Sequence, residues 1–265
     1  EEFLGISVYD QAIVSYLELM QQHYTGCNPR GLLLTHDKAL SKKIMQFHRI
    51  PTPRFVVFAH GRKVKPPSRL RYPIFVKSAI EDASYGISQA SVVTNDQALL
   101  ERVKFVHEHA KTDAIAEEYI DGRELYVGVV GNHRLQTLPI WEMHFSRMPE
   151  ELARIATAQV KWNPKYQKKH GIETRAAEDI SPEMRSNINR LCKRVYRALN
   201  MSGYGRIDLR LSPDGQVYVL EANANPNLEF GEDFAESAES GGISYEDLLQ
   251  RIVNLGLRYS APWKQ

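Results

Sequence analysis

Two short polar runs, Arg206–Arg210 and Glu221–Asn225, set acids, arginines and an asparagine amide at a spacing suited to a hard cation. Gly205–Leu211 (GRIDLRL) alternates strictly, so Arg206, Asp208 and Arg210 share one strand face and Ile207, Leu209 and Leu211 the other. Gln216–Asn223 (QVYVLEAN) alternates too, with Val217, Val219, Glu221 and Asn223 together. The linking Ser212-Pro213-Asp214-Gly215 is a strong turn signal. If those four residues form the loop, Leu211 pairs with Gln216, Arg206 faces Glu221, and Asp208 sits diagonally within cross-strand reach. The alternative register, Asp208 opposite Leu220, sends Glu221 to the far face. The first is preferred because it gathers the ionic groups. Asp208, Glu221 and Asn223 then offer two carboxylates and an amide oxygen, a donor set suited to Mg²⁺, which completes its shell with phosphate oxygens and water. The plainer alternative is a solvated edge hairpin. It is disfavoured because acids just past an apolar Val-Leu stretch are costly without a cation.

Elements that could position this hairpin are legible along the chain. Residues 8–22 carry Ile13, Leu17 and Met20 at helical spacing. Tyr24 to Arg30 reads as a loop. His36–His48 is a second helix, stopped by Ile50-Pro51-Thr52-Pro53. Phe55–Phe58, Tyr72–Ser78, Ala90–Val93, Ala114–Ile120, Arg123–Gly131 and Leu135–Met143 read as strands, and Lys77 to Gln89 as a polar, flexible turn. Asn95–His109 is a helix that Asn95 or Asp96 can cap. Residues 150–174 have no clean period and are expected to form a functional loop carrying Lys165, Lys168 and Lys169. Ser181 and Pro182 open a long helix to about Asn200, and Tyr245–Leu257 closes the fold. The pattern is α+β with mainly antiparallel strands, without repeats or low-complexity tracts.

Composition narrows the function. The 265 residues are 43% hydrophobic and 25% charged, with a net charge of +2, ordinary for a globular protein large enough to bury a sizeable core. The cations are scattered, so a nucleic-acid interface is not expected. No apolar run approaches the ~18–20 residues of a membrane span. Cys27 and Cys192 lie in no metal-type spacing and read as reduced thiols of a cytoplasmic protein. The nine histidines show no ligand spacing, and no Ser-His-Asp or Cys-His arrangement is evident. The chain starts Glu1-Glu2-Phe3 and runs straight into a helix, which suggests a fragment or a processed product.

From about Tyr9 to Leu257 the chain resembles the ATP-grasp enzymes, most closely the D-alanine–D-alanine ligase branch. The resemblance rests on separated motifs in matching order: Asp37-Lys38, Phe75-Val76-Lys77, Glu81 to Gly86-Ile87, Ala116-Glu117-Glu118-Tyr119-Ile120 and the Arg206–Asn225 hairpin. It implies an ATP-grasp fold in which two α+β subdomains clamp ATP. Residues 1–29 would be the remnant of an N-terminal substrate domain, 30–118 the central subdomain, and 119–265 the C-terminal subdomain with the metal site. It implies that Lys38 and Lys77 bind phosphate, with Ser84 and Gly86 in a mobile phosphate loop. Glu117 would accept the adenine amino group, the backbone near Glu118, Tyr119 and Ile120 would read the ring edge, and Glu124 would hold the ribose. Asp208, Glu221 and Asn223 fall on the metal ligands, Arg206 on the transition-state arginine and Lys161 on the mobile-loop lysine. The implied cofactors are ATP and Mg²⁺, with Mn²⁺ as a substitute. The implied partners are a small-molecule carboxylate and an amine, and a homodimer is compatible with the resemblance.

The implied reaction is carboxylate–amine ligation through an acyl phosphate. Preorganised positive charge stabilises the oxygens on which negative charge develops, and no nucleophilic side chain is needed. A non-catalytic ATP-binding module of a larger assembly is the alternative. The joint retention of Lys77, Arg206, Asp208, Glu221 and Asn223 favours the enzyme. Three departures from the family stand out. Ala83 replaces the first loop serine, and Trp162 replaces the tyrosine that serine would meet. Glu232 and Asp233 follow where the family places a serine region for a substrate carboxylate, so the amine substrate is expected to differ from D-alanine.

Overall fold

Two antiparallel sheets, each with one face covered by a long helix, form the frame of the molecule. The computed structural model describes residues 9–80, 86–149 and 151–261. The N-terminal helices are α1 (Asp10–Leu19), α2 (Pro29–His36) and α3 (Lys38–Phe47). Strands β1 (Phe55–Phe58), β2 (Ile74–Ser78), β3 (Val92–Val93) and β4 (Ala114–Glu118) form an antiparallel sheet in the order β1-β4-β2-β3. Helix α4 (Asp96–His109), capped by the Asn95 side chain, packs Leu99, Val103 and Val106 against Ile74, Val76, Ala114 and Ala116. The opposite face, carrying Phe75, Lys77 and Glu117, is left for other work.

The second sheet runs β10-β9-β5-β7-β8, with β6 (Gln136–Thr137) beside β5. Its strands are β5 (Arg123–Val130), β7 (Trp141–Phe145), β8 (Ile172–Ala176), β9 (Tyr204–Leu211) and β10 (Val217–Ala224). Helix α7 (Pro182–Ala198) inserts Ile188, Leu191, Cys192 and Val195 against Leu125, Val127, Ile207 and Leu209. Leu32 of α2 and Met45 of α3 join this same core. Helices α8 (Asp233–Ser240) and α9 (Tyr245–Arg258) pack Phe234, Ala238, Leu248 and Ile252 with Val130 and Tyr204. No helix among the described residues is long and apolar enough to cross a membrane.

The α+β, antiparallel expectation holds, with local corrections. In α1 the inward stripe is Val14 and Glu18, while Ile13 and Met20 are exposed; the period marked the helix but not its buried side. Residues 29–36, partly read as loop, form α2, because Asn28 caps it and Pro29 takes the first helical position. Ala90–Val93 is a 3-10 turn followed by a two-residue strand. The supposed loop 150–174 contains α5 (Ala158–Trp162), α6 (Pro164–His170) and most of the edge strand β8. Thr157 and Asn163 cap these helices and Gly171 ends the second at φ +57°, so neither is long enough to display a period.

Two polar contacts hold the parts in place. The Asn28 side chain accepts from Gly31 N–H and donates to Asn200 O and Ser202 Oγ, which pins α2 to the segment before β9. Gln89, beside the small sheet, donates to Ala153 O at 3.0 Å and accepts from Ala153 N–H at 2.9 Å, bridging to a segment of the large sheet. Asn28→Ala removes the cap and leaves buried groups unpaired, so urea unfolding should show a loss of about 1–3 kcal/mol. Gln89→Ala removes two bonds worth about 0.5–1.5 kcal/mol each. Amide exchange at Ala153–Thr157 should then quicken roughly tenfold, with global stability falling by no more than about 1–3 kcal/mol; unchanged protection would show the bridge is idle.

Candidate active site: the cleft between the sheets

The uncovered faces of the two sheets line a common cleft. Phe75, Lys77 and Glu117 line it from the small sheet, and Glu124, Asp208, Arg210 and Glu221 from the large one. Glu118, Tyr119 and Ile120, which connect β4 to β5, form its back wall. The Glu118 carboxylate turns away and accepts from Arg71 N–H at 3.0 Å, so this wall offers the cleft backbone and the Tyr119 and Ile120 side chains.

The hairpin register differs from the sequence expectation. Leu211 pairs with Val217 and Leu209 with Val219, a register that continued would put Asp208 opposite Leu220 and Glu221 on the core face. A bulge between Val219 and Glu221 corrects the parity, so Glu221 stands opposite Asp208 and Asn223 opposite Arg206. Glu221 and Asn223 thus join Arg206 and Asp208 as expected, but Val217 and Val219, expected on the same face, pack into the core, because neither simple register accommodates an inserted residue. Across β5, Glu124 stands opposite Arg210, Tyr126 opposite Asp208 and Gly128 opposite Arg206. Gly128 leaves no room for a side chain, since a Cβ there would come within 2.6 Å of Leu138.

Charge is paired at close quarters. Arg206 donates to both Asp208 oxygens, at 2.7 and 2.9 Å, and stacks over the Tyr126 ring at 4.8 Å. Asn223 donates to Asp208 Oδ2 at 3.1 Å. Burial pushes the Asp208 carboxyl up, opposed by the Arg206 guanidinium. Burial would also raise Glu221, but Lys77, Lys38, Lys161 and Arg206 together hold it well below the usual carboxylate range. Lys77 lies 3.6 Å from both Glu221 and Glu117. Burial would lower the Lys77 ammonium, yet these two carboxylates raise it. Burial lowers Lys42, in α3, to about 8 despite the Glu117 carboxylate beside it.

Of the residues singled out from sequence, Lys77, Glu117, Glu118, Tyr119, Ile120, Glu124, Lys161, Asp208 and Glu221 line this one cleft. Asn223 and Arg206 adjoin it through Asp208. Lys38 is buried at the start of α3, where its N–H donates to Ala79 O at 2.9 Å and its charge acts on Glu221. Lys161 sits on a helix rather than in a loop, and its charge reaches both acids. Gly86, at φ +68°, has its carbonyl held by Arg102 and is not among the lining residues. Ser84 and Ala83 lie outside the described residues. Trp162 is exposed. Two residues escaped the sequence reading. Arg210 is buried and donates to Glu124, Gly122 O and Arg154 O, although its place on the Arg206–Asp208 face was a visible signal. Lys42 repeats Lys38 at i+4 on one helix face.

The donor set suits both groups that the chemistry calls for. Glu117 Oε1 is buried 3.6 Å from the Lys77 ammonium and has no hydrogen-bond partner, so it can accept from a donor such as an exocyclic amine. Asp208, Glu221 and Asn223 supply two carboxylates and an amide, enough for Mg²⁺ with phosphate ligands. No group of three or more His, Cys, Asp or Glu able to hold a metal occurs among the described residues.

Comparison with known proteins agrees with this geometry. Residues 44–254 match the family model for the D-ala D-ala ligase C-terminus. The D-alanine–D-alanine ligase of Carboxydothermus hydrogenoformans is 30% identical over 256 residues, covering 94% of this chain and 77% of that protein. The D-alanine–D-alanine ligase of Ralstonia nicotianae is 31% identical over 263 residues, covering 96% and 74%. The Bacillus anthracis D-alanine–D-alanine ligase crystallised with ATP superposes with a TM-score of 0.75 at 24% identity, over 93% of this chain and 74% of that one. With 211 residues matched by the family model (44–254) and the fold shared, the chain belongs to the D-alanine–D-alanine ligase C-terminal family and has the ATP-grasp fold.

Proposed function

We propose that this chain carries the ATP- and Mg²⁺-dependent centre of a ligase that joins a carboxylate to an amine through an acyl phosphate. The observation that carries the reading is the convergence of Lys77, from β2 of the small sheet, with Arg206, Asp208, Glu221 and Asn223 of the β9–β10 hairpin at one cleft. In this reading Lys38, Lys77 and Lys161 take the phosphates, and the subdomains divide at residues 118 and 119. The orphan Glu117 Oε1 accepts the adenine amino group while backbone at Glu118–Ile120 meets the ring edge. Glu124, oriented by Arg210 and by the Tyr126 hydroxyl at 2.9 Å, takes the ribose. Ser84 and Gly86 belong to the phosphate loop.

Asp208, Glu221 and the Asn223 carbonyl oxygen would hold Mg²⁺, which supplies Lewis-acid neutralisation of phosphoryl charge. Arg206, held flat by Asp208 and Tyr126, faces the oxyanion that forms when the amine attacks. Fixing its plane in advance is what makes it effective, because a preorganised donor needs no rearrangement as charge develops.

The acids beyond the hairpin point to the amine. Burial raises Glu232, and Asp233 and Glu229 raise it further, while the Arg206 charge opposes them. Asp233, at the start of α8, accepts from Thr174 Oγ1 and acts on Arg206. A substrate carboxylate here would meet like charge, so the amine is cationic or lacks a nearby carboxylate.

Two experiments test the reading. Asp208→Asn or Glu221→Gln should abolish Mg²⁺-dependent turnover with the circular dichroism spectrum unchanged; wild-type rates in either variant refute the metal assignment. Phosphate release should be screened across an amine panel with ATP and Mg²⁺. Cationic or carboxylate-free amines are expected to give the fastest release, and activity with D-alanine alone would overturn the amine assignment.

A further inference from the structure

The correct parity of β10 rests on a bulge, and a bulge leaves backbone groups without ladder partners. Here those groups are met from outside the sheet. Val219 N–H donates to Pro51 O at 2.9 Å, and the Thr52 hydroxyl donates to Val219 O at 3.0 Å. The carbonyl of Leu220, the inserted residue itself, accepts from Lys42 Nζ at 2.9 Å. Lys42 also donates to Thr52 Oγ1 at 2.9 Å and lies 3.4 Å from Glu117 Oε2. An ammonium has three donors, and these three partners account for all of them. The side chain is 1% exposed and is not among the residues lining the cleft, so a structural reason for so costly a burial is required.

We propose that Lys42 is a positioning residue for the candidate metal site: its ammonium clamps the Leu220 bulge that turns Glu221 and Asn223 to the Asp208 side. A strand without the bulge would keep the register of Leu211–Val217 and Leu209–Val219, and Glu221 would point into the apolar core beside α7. Lys42 thus acts on the cation through the backbone of Leu220, one residue before Glu221 and three before Asn223. A neutral side chain could fill the space without holding the carbonyl. The same ammonium touches Glu117, so one buried cation serves both the bulge and the acceptor assigned to adenine.

This inference rests on the metal reading given above, and the test separates the two. ATP binding is measured by calorimetry with and without Mg²⁺ for the wild type, Lys42→Met and Thr52→Val, alongside thermal melting. The readout is the ratio of the two affinities, which cancels any effect on adenine through Glu117. Lys42→Met should lose on the order of 10–100-fold of the Mg²⁺ enhancement, the usual cost of disturbing a ligand's support. Thr52→Val keeps the Lys42–Glu117 contact and removes only part of the clamp, so it should lose less. A Lys42→Met protein with a lowered melting temperature but the full wild-type enhancement overturns the clamp while leaving the metal reading standing. A wild type without Mg²⁺ enhancement overturns both.

Discussion

A line of ion contacts runs from Lys42 through Glu117 and Lys77 to Glu221, and it crosses from one sheet to the other. Charges this deep are stable only when paired, and breaking such a pair strands an uncompensated ion. The two sheets must therefore meet where the line closes, with their uncovered faces toward each other. Apolar packing fixes each sheet separately, through α4 on one and α7 on the other. The ionic line sets how they face. A cleft built this way holds Lys77, Lys161 and Arg210 among its acids before any phosphate enters it, and fixed cations of this kind are what phosphoryl transfer rewards.

Much of this was legible in the chain. The alternation in Gly205–Leu211 and Gln216–Asn223 put Arg206, Asp208, Glu221 and Asn223 on one face, and they share it, although Val217 and Val219, read onto that face too, lie on the core side. What alternation could not reveal was the bulge, because an inserted residue is stabilised by distant partners, Lys42 and Thr52, rather than by anything local in β10. The preferred pairing of Arg206 with Glu221 failed for that reason although the face was right. The short helices of 158–170 were hidden by their length and by caps that also read as loop signals. Arg210 was visible as the third member of the face, but only the fold shows it reaching Glu124 and Arg154 O.

The chain belongs to the D-alanine–D-alanine ligase C-terminal family, and some of its residues depart from the pattern that the resemblance implied. Ala83 and Trp162 lack the polar groups for the serine–tyrosine link that the resemblance implied. In this structure the paired hydrogen bonds between Gln89 and Ala153 couple neighbouring segments across the cleft instead. The acids Glu229, Glu232 and Asp233 crowd the side where Arg206 faces.

The central claim is that Asp208, Glu221 and Asn223 form one cation site beside bound nucleotide. Anomalous diffraction from crystals grown with Mn²⁺ and a non-hydrolysable ATP analogue tests it most directly. The account predicts a manganese peak bounded by the Asp208 and Glu221 carboxylates and the Asn223 amide oxygen, next to the phosphates. A peak elsewhere in the cleft, or nucleotide bound with Asp208 still closed on Arg206 and no manganese beside it, would contradict it.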